Sequence, residues 1–457
     1  MNAPRVRLAG LALFAALALV ACGARAAHAE EAPADSALRA YVRSLSDSTD
    51  AWFGTAAAPL DTTGLDSALA VGLAKPPGGA GRAGAGSQAH RWSMGYGPAL
   101  GYNRADGGQL GLSASLGTPW PGELRGRAQY TTGTHDLLGE GSWSRSWPVR
   151  RWHSSADFRV AAGRATEPFD RDDFDAFFAT FNALVYGSDR HHYLRRDGWN
   201  ASLRVGNDER SLTAAWRDQL ESALPYTTDW VLFGGKPDLA FNAPAAYGRA
   251  REWSLHALTT VPGTRFRAHA DYWTSDPRMG SDFTYRRYQL GTGGDVSLGR
   301  HLALVPQARY GRLRGEALPQ DALFLGGVYS LRTLDRNELA GTGRVFARTD
   351  LVLVDELGAL LHLPLPAWLP LQSGAFAASG AVWGRDPVTG AAVATQRDTP
   401  HADEWRSEAG LGLSWRPGIP DPTLSLRFEY AWPIGADARE PRWTLAFQSF
   451  VNLLPGR

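Results

Sequence analysis

From residue 91 to residue 451 the chain alternates apolar and polar positions with a period of two. The segment Arg265 to Tyr272 places an apolar residue at every second position, and Leu424 to Trp432 repeats the pattern. A period of two puts successive side chains on opposite faces of a β-sheet. The pattern predicts about sixteen strands, starting near residues 92, 109, 123, 137, 154, 198, 211, 251, 265, 284, 301, 341, 372, 406, 423 and 442.

The residues on the two faces decide between a soluble sandwich and a membrane barrel. The polar face carries charged side chains and His at mid-strand, among them Arg267, His269, Arg427 and Glu429. The apolar face carries aromatic residues near strand ends: Trp199, Trp253, Tyr272, Trp432 and Trp443. Charged side chains are typical of a wet lumen, and Trp and Tyr are typical of a lipid interface. We therefore expect the apolar face to point outward.

The connections between the predicted strands alternate in length. Those after even-numbered strands are mostly short, whereas the long ones, 166–197, 221–250, 315–340 and 385–404, all follow odd-numbered strands. Outer-membrane barrels have short periplasmic turns and long outer loops. The sequence thus predicts an all-β fold over residues 91–457: a 16-stranded antiparallel transmembrane β-barrel with its N-terminal tail in the periplasm.

The first 29 residues have the features of a secretory signal peptide. Arg5 and Arg7 precede an apolar run that is too short to span a membrane comfortably. Ala27-His28-Ala29 forms a cleavage site, while Cys22, the single Cys of the chain, ends a lipobox and is a candidate for lipidation. Residues 30–90 are predicted to be a periplasmic tail and Gly/Ala/Pro-rich linker. Export to the bacterial outer membrane is expected under both interpretations.

Composition and motifs argue against other functions. The chain has 47 Lys+Arg against 46 Asp+Glu, which is unlike a strongly basic nucleic-acid binder. Gly111 to Ser115 misses the last glycine of a serine-hydrolase motif. His191, His192 and Asp189 lie close enough in sequence to suggest a metal, but we interpret this segment as a solvated, charged outer loop. We expect no enzyme activity, no metal site and no cofactor.

Four segments together resemble the Omp85 superfamily, the BamA and TamA surface-antigen barrels. Gly326 to Leu334, followed by Leu339-Ala340-Gly341, is similar to the sixth outer loop of that family, and lies between predicted strands 11 and 12. Tyr102 to Gly107 is similar to an early family turn. The two remaining similar segments are the strand Phe376–Trp383 and the penultimate strands, Gly410–Trp415 followed by Pro422–Pro433.

The resemblance implies that the sixth loop folds back into the lumen, where its arginine pairs with an acidic residue of the wall. The implied loop motif consists of Gly326, Gly327, Ser330, Arg332 and Gly341. The position that carries the usual acidic partner is Ser379 in this chain. A buried guanidinium needs a carboxylate, so Asp350 and Glu429 join Ser379 as candidate partners of Arg332.

The resemblance also implies a function. Family members that insert or translocate proteins carry periplasmic POTRA domains, and residues 30–90 are too few for one. We therefore expect a POTRA-less accessory barrel in outer-membrane protein assembly or translocation, with unfolded protein clients or a separate periplasmic partner. It would contact membrane lipids and be inserted by the outer-membrane assembly machinery. Alternatives are a passive channel and a surface-interaction barrel.

Assembly activity would use lateral opening between the first and last strands. The residues predicted to line this lateral seam are Trp92, Tyr96, Trp443, Phe447 and Phe450.

Overall fold

The computed structural model describes most of the region predicted to be the barrel. The described residues are 93–117, 122–149, 154–170, 176–207, 209–232, 238–239, 242–261, 264, 266–294, 296–299, 301–353, 357–362, 371–390, 392–393, 399–415, 424–435 and 439–449. The predicted signal peptide, Cys22 and the tail at 30–90 lie outside them and stay predictions.

Sixteen long strands form one antiparallel sheet, and each pairs with the next along the chain. They are β1 Ser93–Asn103, β2 Gly107–Gly117, β3 Glu123–Thr131, β4 Leu137–Val149, β5 Ser154–Pro168, β6 Tyr193–Gly206, β7 Arg210–Ala223, β8 Gly248–Thr260, β9 Arg267–Ser275, β10 Tyr285–Gly293, β11 Leu302–Gly315, β12 Gly343–Leu353, β13 Leu371–Arg385, β14 Trp405–Trp415, β15 Leu424–Ile434 and β16 Arg442–Ser449.

The predicted all-β fold with sixteen antiparallel strands is confirmed. Fifteen predicted starts lie within three residues of the observed ones, whereas β6 begins five residues before its predicted start, at Tyr193. The periodicity is hidden there because Tyr193, Leu194, Arg195 and Arg196 are all buried under outer loops.

The sheet presents its apolar side chains outward and its charged ones inward. On β15, Phe428 is 43% exposed while its neighbour Glu429 is 1% exposed. On β14, Leu411 is exposed and Glu408 is fully buried. This arrangement is the inverse of a soluble barrel and matches a sheet with lipid outside and a polar lumen inside.

The sheet curls around this polar interior. Asp335, in the connection between β11 and β12, forms ion pairs with both Arg190, just before β6, and Arg442 at the start of β16. Because Asp335 lies in a connection and reaches segments next to both β6 and β16, the sheet must curve so that these distant strands face a common interior. Within the described residues, however, no strand pairing joins β1 to β16, so a seam runs between the first and last strands.

The remaining elements are short. Helix α1 spans Ala176–Phe181 and continues as a π-helical turn, Asn182–Tyr186, and α2 spans Leu357–Leu360. Single 3-10 turns occur at Pro277–Met279, Pro319–Asp321 and Ala402–Glu404. The two-residue strands Val296–Ser297 and Ala392–Val393 join the sheet, and Ser188–Asp189 pairs with Asp238–Leu239. None of the described helices has the length and apolarity needed to cross a membrane.

Candidate functional site

Loop 6, residues 316–342 between β11 and β12, folds into the lumen as a hairpin. Its short strands Leu323–Leu325 and Leu339–Gly341 pair with each other. A small apolar core inside the otherwise polar lumen holds the hairpin against the wall; it consists of Leu325, Leu331, Leu334, Phe346, Ala378 and Val382. Each fully buried Leu contributes about 2 kcal/mol of hydrophobic stabilisation. Loop 6 is therefore packed like a core element.

The glycines of the loop motif are required by the backbone. Gly326 has φ +125° and Gly327 has φ +100°, values that L side chains rarely adopt. A Cβ at Gly326 would lie 2.1 Å from the carbonyl oxygen of Asp335. Ser330 completes the turn, since its Oγ accepts a 2.8 Å hydrogen bond from the Gly326 N–H. These residues shape the tip that presents Arg332.

Arg332 enters a buried ion-pair network on the inner wall. Its Nε donates to Oε2 of Glu429 on β15, and both side chains are almost completely buried. The guanidinium carbon also lies 4.7 Å from the ring centre of Phe376. Glu429 accepts further contacts from Arg348 at 3.1 Å and from Arg427 at 3.0 Å. One carboxylate thus holds three guanidinium groups together.

Two more acidic side chains lie in this region, and one of them, Asp350, pairs with the arginines. Asp350 accepts hydrogen bonds of 2.7 and 2.5 Å from Arg348 and lies 3.4 Å from Arg427. Glu408 on β14 accepts from the backbone N–H of Thr333 at 2.8 Å and from its Oγ1 at 3.0 Å. The Arg332 network therefore contains three guanidiniums in contact with two carboxylates, those of Glu429 and Asp350, while Glu408 binds loop 6 through Thr333. Buried charges are tolerated when they are paired and hydrogen-bonded in this way.

The structure separates the three candidate partners of Arg332. Glu429 contacts Arg332 directly, whereas Asp350 reaches it only through the shared arginines. Ser379 is not a partner: its hydroxyl donates to the carbonyl of Arg406 and lies 2.8 Å from Oγ of Ser407. Sequence reasoning missed Glu408, whose only signal is a charged residue inside the strand that precedes β15.

Further contacts tie the outer end of loop 6 to its neighbours. Asp335 lies 2.7 Å from Arg190 and 2.5 Å from Arg442, and Glu338 lies 2.6 Å from Arg439. Two of these arginines belong to β16 or to the connection before it. Loop 6 is therefore linked both to the β5–β6 connection and to the last strand.

A second buried cluster anchors the start of loop 6. Gln320 donates from Nε2 to Glu221 at 3.0 Å and accepts from the N–H of Ala246 at 2.9 Å. The adjacent Asp321 is buried near Glu221 and Glu252. Burial, reinforced by the negative charge of Glu221, raises the pKa of Asp321 to about 7 although Arg287 and Arg196 oppose the shift.

Asp321 is expected to make the stability of the folded protein depend on pH. In the folded protein Asp321 keeps its proton up to about pH 7, given its pKa, whereas in an unfolded chain an Asp loses it near about pH 4. The folded state binds more protons in that window, so stability is expected to fall as the pH rises from about 4 to about 7. Asp321→Asn should flatten the dependence of the unfolding midpoint on pH over this range. An unchanged slope in the variant would contradict this role.

The predicted solvated outer loop is instead buried, which corrects the sequence analysis. Asp189 accepts hydrogen bonds from the backbone N–H of Arg104 and from the Tyr193 hydroxyl, and the Arg104 guanidinium donates to the His191 carbonyl. His191 Nδ1 lies 3.0 Å from Asp170. These residues are buried because charges from separate loops, which are remote in sequence, neutralise one another.

The residues suspected of binding a metal take part in this packing. The His191 ring contacts Asp170 on one side and Arg336 of loop 6 on the other. Burial opposes ionisation of Asp170, but His191 and Arg336 outweigh it and lower the pKa of Asp170. His192 Nδ1 accepts the N–H of Ala243. Among the described residues, no group of three His, Cys, Asp or Glu side chains is placed to hold a metal ion.

At the end of the interior away from the long loops lies a cavity of about 660 Å³. Its inward-facing lining is rich in hydroxyl and charged groups, which include Glu123, Arg125, Ser142, Asp157, Arg159 and Arg204. Several of these charges are paired, as Arg125 is with Glu123 at 2.9 Å. Among the described residues, the interior is thus packed by loop 6 at one end and lined by hydroxyl and charged side chains at the other.

The predicted seam residues are only partly described. Tyr96 is 80% exposed on β1 and Trp443 is 60% exposed on β16. Trp443 stacks on Phe428 at 4.6 Å between ring centres. The backbone of Phe447 pairs with Leu426, while Trp92 and Phe450 lie outside the described residues.

Comparison with solved structures finds barrel proteins of low sequence identity. The chain is similar to BamA from Haemophilus ducreyi lacking POTRA domains 1–3, with 14% identity, a TM-score of 0.49 and coverage of 78% of this chain and 70% of that one. CdiB from Acinetobacter baumannii shows 12% identity, a TM-score of 0.39 and coverage of 78% and 65%. CdiB from Escherichia coli shows 13%, 0.41, 78% and 61%.

No protein-family model and no curated protein sequence matches the chain. The chain spans less than two thirds of the length of either CdiB chain. The fold assignment therefore rests on the strands, their registers and the orientation of their two faces.

Proposed function

We propose that this chain is an outer-membrane β-barrel of the Omp85 type that acts in the assembly or translocation of proteins at that membrane. The observation that carries the proposal is the seam: β1 and β16 share no strand pairing within the described residues, although every other neighbouring pair of long strands does. An unpaired strand edge is a template for another strand. The seam therefore offers a client strand a place to pair.

Three features support this proposal. The lipid-facing side chains of β1 near the seam, Met94, Tyr96 and Leu100, are all exposed. Loop 6 is held to the wall by the Arg332 network, so it can stay bound to the wall when β1 and β16 separate. The outward apolar face and inward charges fit a membrane location.

Covalent closure of the seam tests the proposal. Gly95 and Gly97 alternate with the outward-facing Met94 and Tyr96, and Thr444 lies between the outward-facing Trp443 and Leu445, so these positions share the inner face of the sheet. Gly95→Cys or Gly97→Cys is therefore combined with Thr444→Cys, and the pair is joined by oxidation or a short bismaleimide. Cells that carry the tethered protein as their only copy should lose a defined set of outer-membrane proteins from the quantitative proteome. Reduction of the disulfide should restore them.

The matched control joins β1 to its established neighbour. Gly97 and Ser113 are register partners on β1 and β2, so Gly97→Cys with Ser113→Cys tethers strands that are already paired and should leave the proteome unchanged. An unchanged proteome with a closed seam would refute the assembly proposal. A steady conductance that increases on deletion of residues 316–340 would then favour the passive channel.

A further inference from the structure

The free edge of β1 can be assigned residue by residue. Gly108 on β2 donates its N–H to Thr132 Oγ1 and accepts from the Thr132 N–H, both at 2.9 Å, so its backbone faces β3. Tyr102 lies opposite Gly108 in the register. In such a non-hydrogen-bonded pair both residues direct their backbone groups away from each other. The N–H and C=O of Tyr102 therefore point to the seam.

Backbone direction alternates along a strand, so the seam-facing residues of β1 follow from Tyr102. They are Met94, Tyr96, Pro98, Leu100 and Tyr102. Pro98 has no N–H and cannot donate to a partner strand, which is why proline occurs at the edges of sheets. The free edge is therefore interrupted at its middle, and its outer part has two donors, those of Leu100 and Tyr102.

Helix α1 occupies the outer part of this edge. The Tyr102 N–H donates to Oγ1 of Thr180 in α1 at 3.3 Å. The Tyr102 hydroxyl donates to the carbonyl of Trp230 in the β7–β8 connection at 2.5 Å. Residues from that connection hold the helical segment in turn, since the N–H of Leu232 donates to the carbonyl of Leu184 at 2.8 Å. Covering an edge with a helix or loop blocks its pairing with another strand.

The same β5–β6 connection is linked to the other side of the seam. Arg190 follows α1 in this connection and contacts Asp335 of loop 6 at 2.7 Å. Asp335 also contacts Arg442, the first residue of β16, at 2.5 Å. A chain of contacts thus runs from the edge of β1 through Thr180, Arg190 and Asp335 to β16.

We propose that the β5–β6 connection is an outer clasp of the seam, in which Thr180 covers the β1 edge at Tyr102 and Asp335 joins the same connection to β16. Strand pairing at the seam then starts at the periplasmic end, before Pro98, and stops where α1 begins. The clasp would regulate opening of the seam, and this role rests on the proposed function. The contacts that form the clasp can be tested without any client protein.

Amide hydrogen exchange of the full chain in lipid nanodiscs tests the clasp at β1. Thr180→Val keeps the shape of the side chain and removes the acceptor. Exchange of the Tyr102 amide should become about five- to tenfold faster, as expected for the loss of one hydrogen bond. The Gly101 amide, which faces β2, is the internal reference and should not change. Equal Tyr102 exchange in both proteins would overturn the proposal.

Asp335→Asn tests the link to β16. It should speed exchange both at Tyr102 and at Trp443, because both sides of the clasp lose an ionic contact. The matched control is Asp386→Asn, since Asp386 accepts the N–H of Val388 within its own turn; neither amide should respond. A response at Trp443 alone would also overturn the clasp.

The proteome of cells carrying Thr180→Val or Asp335→Asn separates this inference from the proposed function. Changed exchange with an unchanged proteome supports the clasp and counts against the assembly role. Unchanged exchange refutes the clasp whatever the proteome shows.

Discussion

Replacing Glu429 with Gln is expected to release loop 6 and to destabilise the folded barrel by about 3–5 kcal/mol, the cost of breaking a buried ion pair from one side. Glu429 contacts Arg332, Arg348 and Arg427 at once. The variant leaves these three guanidiniums with one contacting carboxylate, that of Asp350, and Arg332 and Arg348 are almost completely buried. Heat-dependent unfolding followed by gel mobility measures the loss, and trypsin cleavage after Arg332 reports release of the loop.

An exposed pair provides the control for Glu429→Gln. Glu123 and Arg125 form a contact at 2.9 Å with both side chains about a third exposed. Glu123→Gln should therefore cost less than about 1 kcal/mol. Adding Arg332→Gln to Glu429→Gln should cost less than the sum of the two single changes, because the two residues share one interaction. Additive effects, or equal losses at Glu123 and Glu429, would show that the Arg332 network does not hold the loop.

Replacing Gly326 with Ala is expected to displace the tip of loop 6. The new Cβ would lie 2.1 Å from the Asp335 carbonyl oxygen, which is a backbone atom and cannot move aside alone. The φ of +125° adds backbone strain, so the total should exceed about 3 kcal/mol. Limited trypsin digestion at Arg332 and Arg336 should become at least about tenfold faster.

Gly390 allows the effect of backbone strain to be separated from the effect of the steric clash at Gly326. It also has a positive φ, +73°, but no heavy atom lies within 4 Å of a Cβ placed there. Gly390→Ala should therefore cost only about 1 kcal/mol and leave loop 6 resistant to trypsin. If Gly326→Ala is equally mild, the turn tolerates a side chain and the tip is not rigidly packed.

The fold was predictable because the alternation of apolar and polar side chains along each strand is a local property of the sequence. Each strand alternates its faces residue by residue, and turns interrupt the alternation at regular distances. The error at β6 arose where outer loops bury both faces of the strand.

The candidate site was predictable only in part. The loop glycines and Arg332 follow from their sequence motif, and Glu429 was one of three candidate partners. Nothing local distinguishes Glu429 from Asp350, because both are inward-facing carboxylates on β15 and β12. Which carboxylate contacts Arg332 depends on how far the hairpin of loop 6 extends across the lumen. That reach is set by the positions of strands that are remote in sequence.

By itself the sequence determined the strands, their number and the orientation of the two faces, because these depend on the period of apolar residues along the chain. Only the tertiary structure decided which charges meet, as in the contact of Asp335 with both Arg190 and Arg442. It also decided that α1 covers the outer edge of β1 at Tyr102. Such contacts join residues that are between 78 and 145 positions apart in the sequence. They depend on the curvature of the sheet, which cannot be derived from the local periodicity of the sequence.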